Sequence, residues 1–239
     1  MKRAVKILHL YPDRMSIYGD YGNIVSLTKR MEWRNIKYDY TTLSIGDKFD
    51  KNYDIIFMGG GQDKGQAYVA QNLQLQSGRI HEHFNLNKPI LTICGGYQLF
   101  GRYFRTSDAK ELPGIGVFDV VTRATDTRMI GNILIKSDQF GELIGFENHS
   151  GATELSGIEK PLGIVIKGHG NNMHSKNEGV FSKSAIGTYM HGSFLPKNPV
   201  VADYILEQAI KIYEPEYKLS ALDDTLETLA FNSARKRPQ

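Results

Sequence analysis

The stretch PILTICGGYQLFG, residues 89–101, contains the only cysteine of the 239-residue chain. Its first five residues are mostly apolar and predict a short buried strand, which ends at Cys94. Gly95 and Gly96 permit the tight backbone of a turn, and the pattern after them predicts a helix over 95–104. The stretch therefore predicts a strand, a sharp turn and a helix, with a thiol at the carboxyl end of the strand.

The same alternation of strands and helices extends towards the N-terminus. It predicts strands at 5–10, 36–45, 53–58 and 89–93, and helices at 18–32, 68–84 and 95–104. Short apolar strands that alternate with helices are typical of a parallel sheet with helices on both faces. Beyond about residue 110, Gly- and Asn-rich turns join segments that predict antiparallel additions on one edge. These strands lie at 115–124, 130–135, 164–168 and 185–190, and helices follow at 199–213 and 221–234.

These elements predict an α/β protein with an open, mostly parallel sheet. We expect a single domain over 1–239, with the parallel part at about 1–110 and the antiparallel additions and closing helices at about 111–239. A net charge of +3 does not indicate nucleic-acid binding, and a single cysteine favours a reducing, cytoplasmic setting. We expect no membrane span, because no apolar run approaches the roughly 20 residues required, and no signal peptide.

The position of Cys94 favours a nucleophile over the more common buried, inert cysteine. Ligands of open parallel sheets bind beyond the carboxyl ends of the strands, and the helix that follows Cys94 directs its positive end at the sulfur, which favours the thiolate. The strand at 53–58 also ends in glycines, in DIIFMGGGQDKGQ at 54–66. The backbone N–H groups of Gly60 and Gly95 are therefore candidate donors of an oxyanion hole, although glycines also suit a simple turn.

A thiol nucleophile requires a base, and two histidines are candidates. His191 lies in AIGTYMHGSFLP, residues 185–196, at the end of a predicted strand and before a glycine, so it is our first choice. His149, in GFENHSG at 145–151, is the rival. The chain has no nucleotide-binding motif and no metal-ligand cluster, so we expect no cofactor and no metal in it.

With these residues, the chain resembles the class I (triad) glutamine amidotransferases, in the branch of the cobyric acid and cobyrinic acid diamide synthases. The resemblance rests on ICGGYQLFG, GTYMHGSF and GFENHSG. The stretches LYPDRMSIYGDYGNI and FMGGGQDKGQ, and a first strand at the start of the chain, are similar to the glutaminase subunits of lipid II amidation, which carry no synthetase domain. The resemblance covers nearly the whole chain and implies a flavodoxin-like fold.

The resemblance also implies the roles of individual residues. Cys94 would be the nucleophile and His191 its base, while Gly60 and Gly95 would hold the oxyanion. Gln98 would help to hold the substrate, and Arg128 would bind the carboxylate of the substrate glutamine, which suits a planar guanidinium. The alternatives are a surface ion pair for Arg128 and a capping or packing role for Gln98.

Two departures from the family pattern concern the site. Thr92 replaces the first glycine of the common G-x-C-x-G turn, and Ser193 replaces the acid of the common His-x-Glu. The acid normally orients the imidazole. Three explanations are open: a Cys–His dyad suffices, Glu147 substitutes for the acid, or a partner supplies the acid in trans, which we favour.

The resemblance implies hydrolysis of L-glutamine through a Cys94 thioester and transfer of ammonia to a partner. The implied partner is a Mur-ligase-like (MurT-type) synthetase subunit in a heterodimer, which would hold ATP and Mg²⁺ or Zn²⁺. It would amidate the D-glutamate α-carboxylate of the lipid II stem peptide to D-isoglutamine, which would place the chain in the cytoplasm at the inner face of the membrane. The alternatives are another acceptor such as a cobyrinate-like acid, a non-catalytic scaffold, and a cysteine peptidase or thiol hydrolase.

Overall fold

The computed structural model describes residues 3–191 and 193–237, which form two sheets flanked by helices. The strands are β1 (Val5–Leu10), β2 (Tyr38–Leu43), β3 (Ile55–Met58), β4 (Ile90–Ile93), β5 (Tyr103–Arg105), β6 (Glu111–Pro113), β7 (Val120–Ser137), β8 (Gly141–Leu155), β9 (Gly163–Lys167), β10 (Asn177–Glu178), β11 (Val180–Ser182) and β12 (Ala185–Thr188). The helices are α1 (Tyr21–Glu32), α2 (Asp63–Asn85), α3 (Gly95–Phe100), α4 (Phe194–Lys197), α5 (Pro199–Lys211) and α6 (Thr225–Arg235).

The first sheet has the strand order β2-β1-β3-β4-β12-β11. Its first five strands pair in parallel, and only β11 is antiparallel to its neighbour β12. This is the order of the flavodoxin-like fold, in which the chain reverses its direction of travel between β1 and β3 and opens a crevice there. The predicted α/β fold is confirmed. Every residue of β3 and β4 is buried, which explains why these strands are almost continuously apolar in sequence.

The second sheet has the order β10-β9-β7-β5-β6, with β8 paired to β7. The long β7–β8 hairpin forms its centre, and an irregularity in the pairing lies between Ala124 and Met129. The predicted antiparallel additions therefore form mostly a sheet of their own, while β11 and β12 extend the edge of the first sheet. The strand predicted at 185–190 as an antiparallel addition is β12, which pairs in parallel with β4. The segments predicted as two strands at 115–124 and 130–135 belong largely to β7, which begins at Val120.

The helix after the cysteine is shorter than predicted. It ends at Phe100, and the chain continues into β5, which pairs with β6 and β7. The Arg102 N–H donates to the Val120 carbonyl oxygen at 2.8 Å, so the second sheet takes the backbone hydrogen bonds that a longer helix would need. Long-range pairing of this kind overrides the local helical pattern.

Strand β12 brings the chain back to the first sheet and positions the site. It pairs in parallel with β4, with Gly187 opposite Thr92 and Thr188 opposite Ile93. The buried Thr92 hydroxyl donates to the Ile186 carbonyl oxygen at 3.3 Å, so the threonine that departs from the family pattern is accommodated between the two strands. The carboxyl ends of β4 and β12 thus lie side by side.

No helix within residues 3–191 and 193–237 has both the length and the apolar character needed to cross a membrane.

The close packing of α3 on β12 generates a stability prediction. A Cβ on Gly187 would lie 2.3 Å from Tyr97 Cδ2, so we expect Gly187→Ala to lower the free energy of unfolding by about 1–3 kcal/mol. Gly78, exposed within α2, has nothing within 4 Å of its Cβ position, and Gly78→Ala should raise the free energy by roughly 0.5–1 kcal/mol. Urea unfolding followed by circular dichroism measures both, and shifts in the same direction would contradict this packing.

Candidate active site

Four neighbouring strands of the first sheet end at the same edge and each contributes to one site. Asp20 follows β1, Gly60 follows β3, Cys94 follows β4 and His191 follows β12. These strands are spatial neighbours in the order β1-β3-β4-β12. Because all four run in the same direction, their carboxyl ends bring the four residues together.

Cys94 sits on a strained turn between β4 and α3. Its backbone has φ 48° and ψ −105°, a conformation that costs a non-glycine residue on the order of 1–3 kcal/mol and is common at functional sites. The positive φ falls on the cysteine itself and on neither glycine after it. Those glycines instead permit close approach, since a Cβ on Gly96 would lie 2.7 Å from the Met58 carbonyl oxygen. The thiol therefore projects from the sheet as nucleophiles do on strand-to-helix elbows.

Gly60 lies where the thiol and the imidazole meet. A Cβ at this position would be 2.6 Å from His191 Cε1 and 3.2 Å from Cys94 Cβ. Contacts under 3.0 Å are not tolerated without movement, so only glycine fits while His191 stays beside Cys94. The structure thus places His191, the first-choice base, against the thiol.

His191 is fully buried and its Nδ1 lies 3.1 Å from Asp20 Oδ1. Burial lowers the pKa of His191, but the charge of the Cys94 thiolate and the hydrogen bond to Asp20 outweigh it and raise the pKa to about 10. The imidazole is therefore protonated at neutral pH and lies against the Cys94 side chain. The ring of Tyr18 meets the imidazole edge-on, with centroids 5.1 Å apart.

The Gly60 amide differs from its predicted role as an oxyanion donor. Its N–H donates to Asp20 Oδ2 at 2.7 Å, and a backbone amide has only one proton to donate. The Gly61 nitrogen lies 3.0 Å from the position that a Cβ on Gly95 would occupy, and Gly61 and Cys94 line the same cavity. The candidate backbone donors beside the thiol are therefore those of Gly61 and Gly95.

A cavity of about 470 Å³ opens at Cys94. Arg128, on β7, lines it and donates from Nε to Asn148 Oδ1 at 2.7 Å. Its Nη2 lies 3.5 Å from the Tyr18 hydroxyl, and no carboxylate pairs with it in the described part of the chain. The remaining guanidinium N–H groups can therefore bind an anionic group in the cavity. A surface ion pair, the alternative role for Arg128, would have occupied these groups.

Gln98 lines the cavity and also braces the turn around it. Its Oε1 accepts a hydrogen bond from Gln66 Nε2 at 3.0 Å, and its Nε2 donates to the Tyr189 hydroxyl at 3.2 Å. Gln66 Nε2 also donates to the Gly61 carbonyl oxygen at 3.1 Å. The predicted substrate contact and the alternative packing role are thus both compatible with its position.

Glu147 does not substitute for the missing acid. Its buried carboxylate accepts the N–H groups of His169 and Gly170 at 2.7 and 2.8 Å, and it makes no contact with His191 among the described residues. The histidine ring beside it is that of His149, whose Nε2 lies 4.0 Å from Glu147 Oε2. The expectation that Glu147 supports the base is wrong because two backbone amides of a neighbouring loop hold its carboxylate.

His149 lines the cavity but packs differently from a base on Cys94. Its ring stacks on Tyr189 with centroids 3.6 Å apart, and its Nδ1 donates to the Gly151 carbonyl oxygen at 2.8 Å. Burial lowers the pKa of His149 to about 3, so the ring is neutral. It serves as a wall of the cavity, while His191 contacts the thiol.

Asp20 is the main site residue that the sequence analysis missed. It lies in Gly19–Asn23, a run that reads as a turn before a helix. The available signal was its position, because it is one of two acids, with Asp13, between β1 and α1 at the same sheet edge as Cys94. Gln66 and Tyr18 were also missed, and nothing in their local sequence marks them. No group of three or more metal-ligating side chains occurs within the described residues.

Comparison with known proteins gives matches along most of the chain. A model of the CobB/CobQ-like glutamine amidotransferase domain matches residues 6–199. The GatD subunit of the glutamine-hydrolysing lipid II isoglutaminyl synthase of Staphylococcus aureus (strain N315) is 39% identical over 226 residues, 94% of this chain and 92% of the relative. The GatD subunit of Streptococcus pneumoniae (strain ATCC BAA-255 / R6) is 39% identical over 93% of this chain and 87% of the relative. A glutamine amidotransferase structure from Thermotoga maritima has a TM-score of 0.55 at 18% identity, covering 98% of this chain and 91% of that chain, and shares the fold.

The crowding at Gly60 predicts the reactivity of the thiol. Gly60→Ala should displace His191, remove the counter-ion of the thiolate and slow alkylation of Cys94 by iodoacetamide at pH 7 about tenfold or more. Gly157→Ala is the control, since nothing lies within 4 Å of its Cβ position. Mass spectrometry of the modified peptide gives the rates. Equal rates in the two variants would mean that His191 does not control the thiol.

Proposed function

The chain belongs to the CobB/CobQ-like glutamine amidotransferase family, and from this membership we propose that it is the glutaminase subunit of a lipid II isoglutaminyl synthase. Two GatD subunits that are 39% identical over more than nine-tenths of this chain support that assignment. The observation that carries the reaction is the contact of Cys94 with a protonated His191, where Cys94 also lines a cavity together with Arg128.

The first half of the reaction starts from a Cys94 thiolate beside the protonated His191. The Cys94 thiolate attacks the side-chain amide carbon of glutamine, and the oxygen of that amide becomes an oxyanion. In this proposal the N–H groups of Gly61 and Gly95 stabilise it, an effect worth about 10²–10³ in rate for each donor. His191 donates its proton to the leaving nitrogen, ammonia departs, and a γ-glutamyl thioester on Cys94 remains.

The second half returns the site to its starting state. The neutral imidazole of His191 takes a proton from water, and the resulting hydroxide attacks the thioester carbon. The carbon–sulfur bond breaks, glutamate leaves, and the Cys94 thiolate again faces a protonated His191. Arg128 holds the α-carboxylate of the substrate throughout, with the Tyr18 hydroxyl and Gln98 at the same cavity.

The ammonia requires an acceptor on another polypeptide. The relatives are subunits of a synthase that acts on lipid II, so we assign to this chain a Mur-ligase-like (MurT-type) partner in a heterodimer. That partner would bind ATP with Mg²⁺ or Zn²⁺ and amidate the D-glutamate α-carboxylate of the stem peptide. The pair would work in the cytoplasm, at the membrane face where the lipid-linked substrate lies.

The decisive experiment measures glutamate released from glutamine by the purified chain, alone and with its Mur-ligase-like partner. We expect turnover that rises with the partner and vanishes in Cys94→Ala. In the complete mixture with ATP and lipid II, mass spectrometry should detect conversion of the D-glutamate α-carboxylate of the stem peptide to the amide. Absence of glutamate in every mixture would favour a non-catalytic scaffold, and glutamate without lipid II amidation would point to another acceptor.

Arg128 provides a prediction on substrate binding. Arg128→Ala should raise KM for glutamine about 10- to 100-fold, because a hydrogen-bonded charge contact contributes roughly 1.5–3 kcal/mol. Arg123→Ala is a matched control on the same strand, since Arg123 pairs with Glu154 at the surface. Steady-state kinetics give KM for glutamine in both variants. An unchanged KM in Arg128→Ala would remove the arginine from the substrate site.

A further inference from the structure

The third group of the triad is the least settled part of the site, because Ser193 stands where the family pattern has a glutamate. We propose that Asp20, from the segment after β1, is the positioning carboxylate of His191 and that Ser193 anchors the segment that carries it. The inference deepens the proposed function and rests on it, since it assigns the group that orients the base of that reaction.

Asp20 is fully buried and uses both carboxylate oxygens on the site. Oδ1 accepts from His191 Nδ1 at 3.1 Å and Oδ2 accepts from the Gly60 N–H at 2.7 Å. The first contact fixes the proton on Nδ1 and leaves Nε2 as the nitrogen that serves Cys94. The second contact fixes the glycine that separates imidazole and thiol, so one carboxylate sets the positions of both.

The segment that bears Asp20 is tied to the chain on either side of the site. The Ser193 hydroxyl donates to the Gly19 carbonyl oxygen at 2.7 Å, next to Asp20. The Ile17 N–H donates to the Gly60 carbonyl oxygen at 3.2 Å. Residues after β12 and β3 therefore hold the Asp20 segment in place from two directions.

The Ser193 side chain packs closely against α1. A Cβ on Gly22 would lie 2.1 Å from the Ser193 hydroxyl oxygen, so α1 packs directly on this side chain. Ser193 also has φ 55°, a left-handed conformation that disfavours long side chains. A glutamate in the same orientation as Ser193 would collide with α1, whereas the short hydroxyl fits there and holds the segment with Asp20.

The electrostatic surroundings of His191 agree with this role. The groups that face it are Cys94, Asp20, the neutral ring of His149 and the ring edge of Tyr18. Cys94 and Asp20 raise the pKa of His191, and burial lowers it. Removal of the Asp20 charge should therefore lower the pH at which His191 loses its proton. An acid supplied in trans is not required, because Nδ1 already has a carboxylate partner.

The test compares Asp20→Asn with wild type in the complex with the synthetase partner. An asparagine amide has one acceptor and one donor, so it retains only one of the two contacts. We expect kcat for glutamine to fall by about 10²–10⁴, with KM within about threefold because Asp20 does not line the cavity. The alkaline limb of kcat/KM should move down by about one pH unit or more. Asp13→Asn, an exposed acid of the same loop, is the control and should match wild type.

A second measurement does not depend on turnover. ¹H–¹⁵N spectra of histidine ring nitrogens, assigned with His191→Gln, follow the protonation of His191 and its Nδ1–H in the free chain. We expect a downfield Nδ1–H and a high apparent pKa in wild type, loss of both in Asp20→Asn and partial return in Asp20→Glu. Thermal unfolding shows whether each variant folds. If Asp20→Asn fails to fold, Ser193→Ala replaces it in the test. We then expect a smaller loss of kcat and a shift of the pH profile in the same direction.

The outcomes separate the two proposals. A wild type without glutaminase activity overturns the proposed function, while the spectra still decide on Asp20. If the wild type is active and Asp20→Asn leaves kcat, the alkaline limb of kcat/KM and the titration of His191 unchanged, the role of Asp20 is overturned. An effect of Asp20→Asn in the free chain that disappears in the complex also overturns it, because the partner then supplies the acid.

Discussion

Parallel pairing in one direction is the constraint on which the site depends. The strands β1, β3, β4 and β12 are neighbours in the first sheet, and each ends at the same edge. The β12–β4 pairing is the critical one, since it places Thr188 beside Ile93 and so brings residue 191 to residue 94. A register shift of one residue would turn every side chain of β12 to the opposite face and separate the thiol from its base.

At this edge of the sheet, the site depends on both close packing and electrostatic interactions among Cys94, His191 and Asp20. Cys94 and Asp20 both contact the protonated His191, and all three side chains are buried. Burial of charges is costly unless each has partners, and the Gly60 amide supplies a further donor to the carboxylate. Gly60 therefore contributes in two ways. Its lack of a side chain leaves space for His191 beside Cys94, and its N–H donates to Asp20.

The sequence predicted the parts of the site that local patterns encode. The apolar run of β1 ends before Pro12, that of β3 ends in glycines and that of β4 ends at the single cysteine. The bounds of these strands and the location of Cys94 therefore follow from short stretches. Asp20 could not be recognised in the same way, because its contact with His191 joins residues 171 positions apart and its own neighbours read as a turn. The Gly60 amide shows a related limit, since a glycine in the sequence does not reveal where its N–H points. The β7–β8 hairpin was predicted only in pieces because its polar outer residues interrupt the strand pattern.

The distribution of the site over the sheet also sets the order in which it is completed during synthesis. A ribosome releases Asp20, Gly60 and Cys94 first, and these residues follow β1, β3 and β4, which can pair among themselves. His191 follows β12, which emerges only after the whole β7–β8 hairpin. A nascent or truncated chain can therefore present the thiol without its base, and the reactive ion pair forms only once the C-terminal part has joined the sheet.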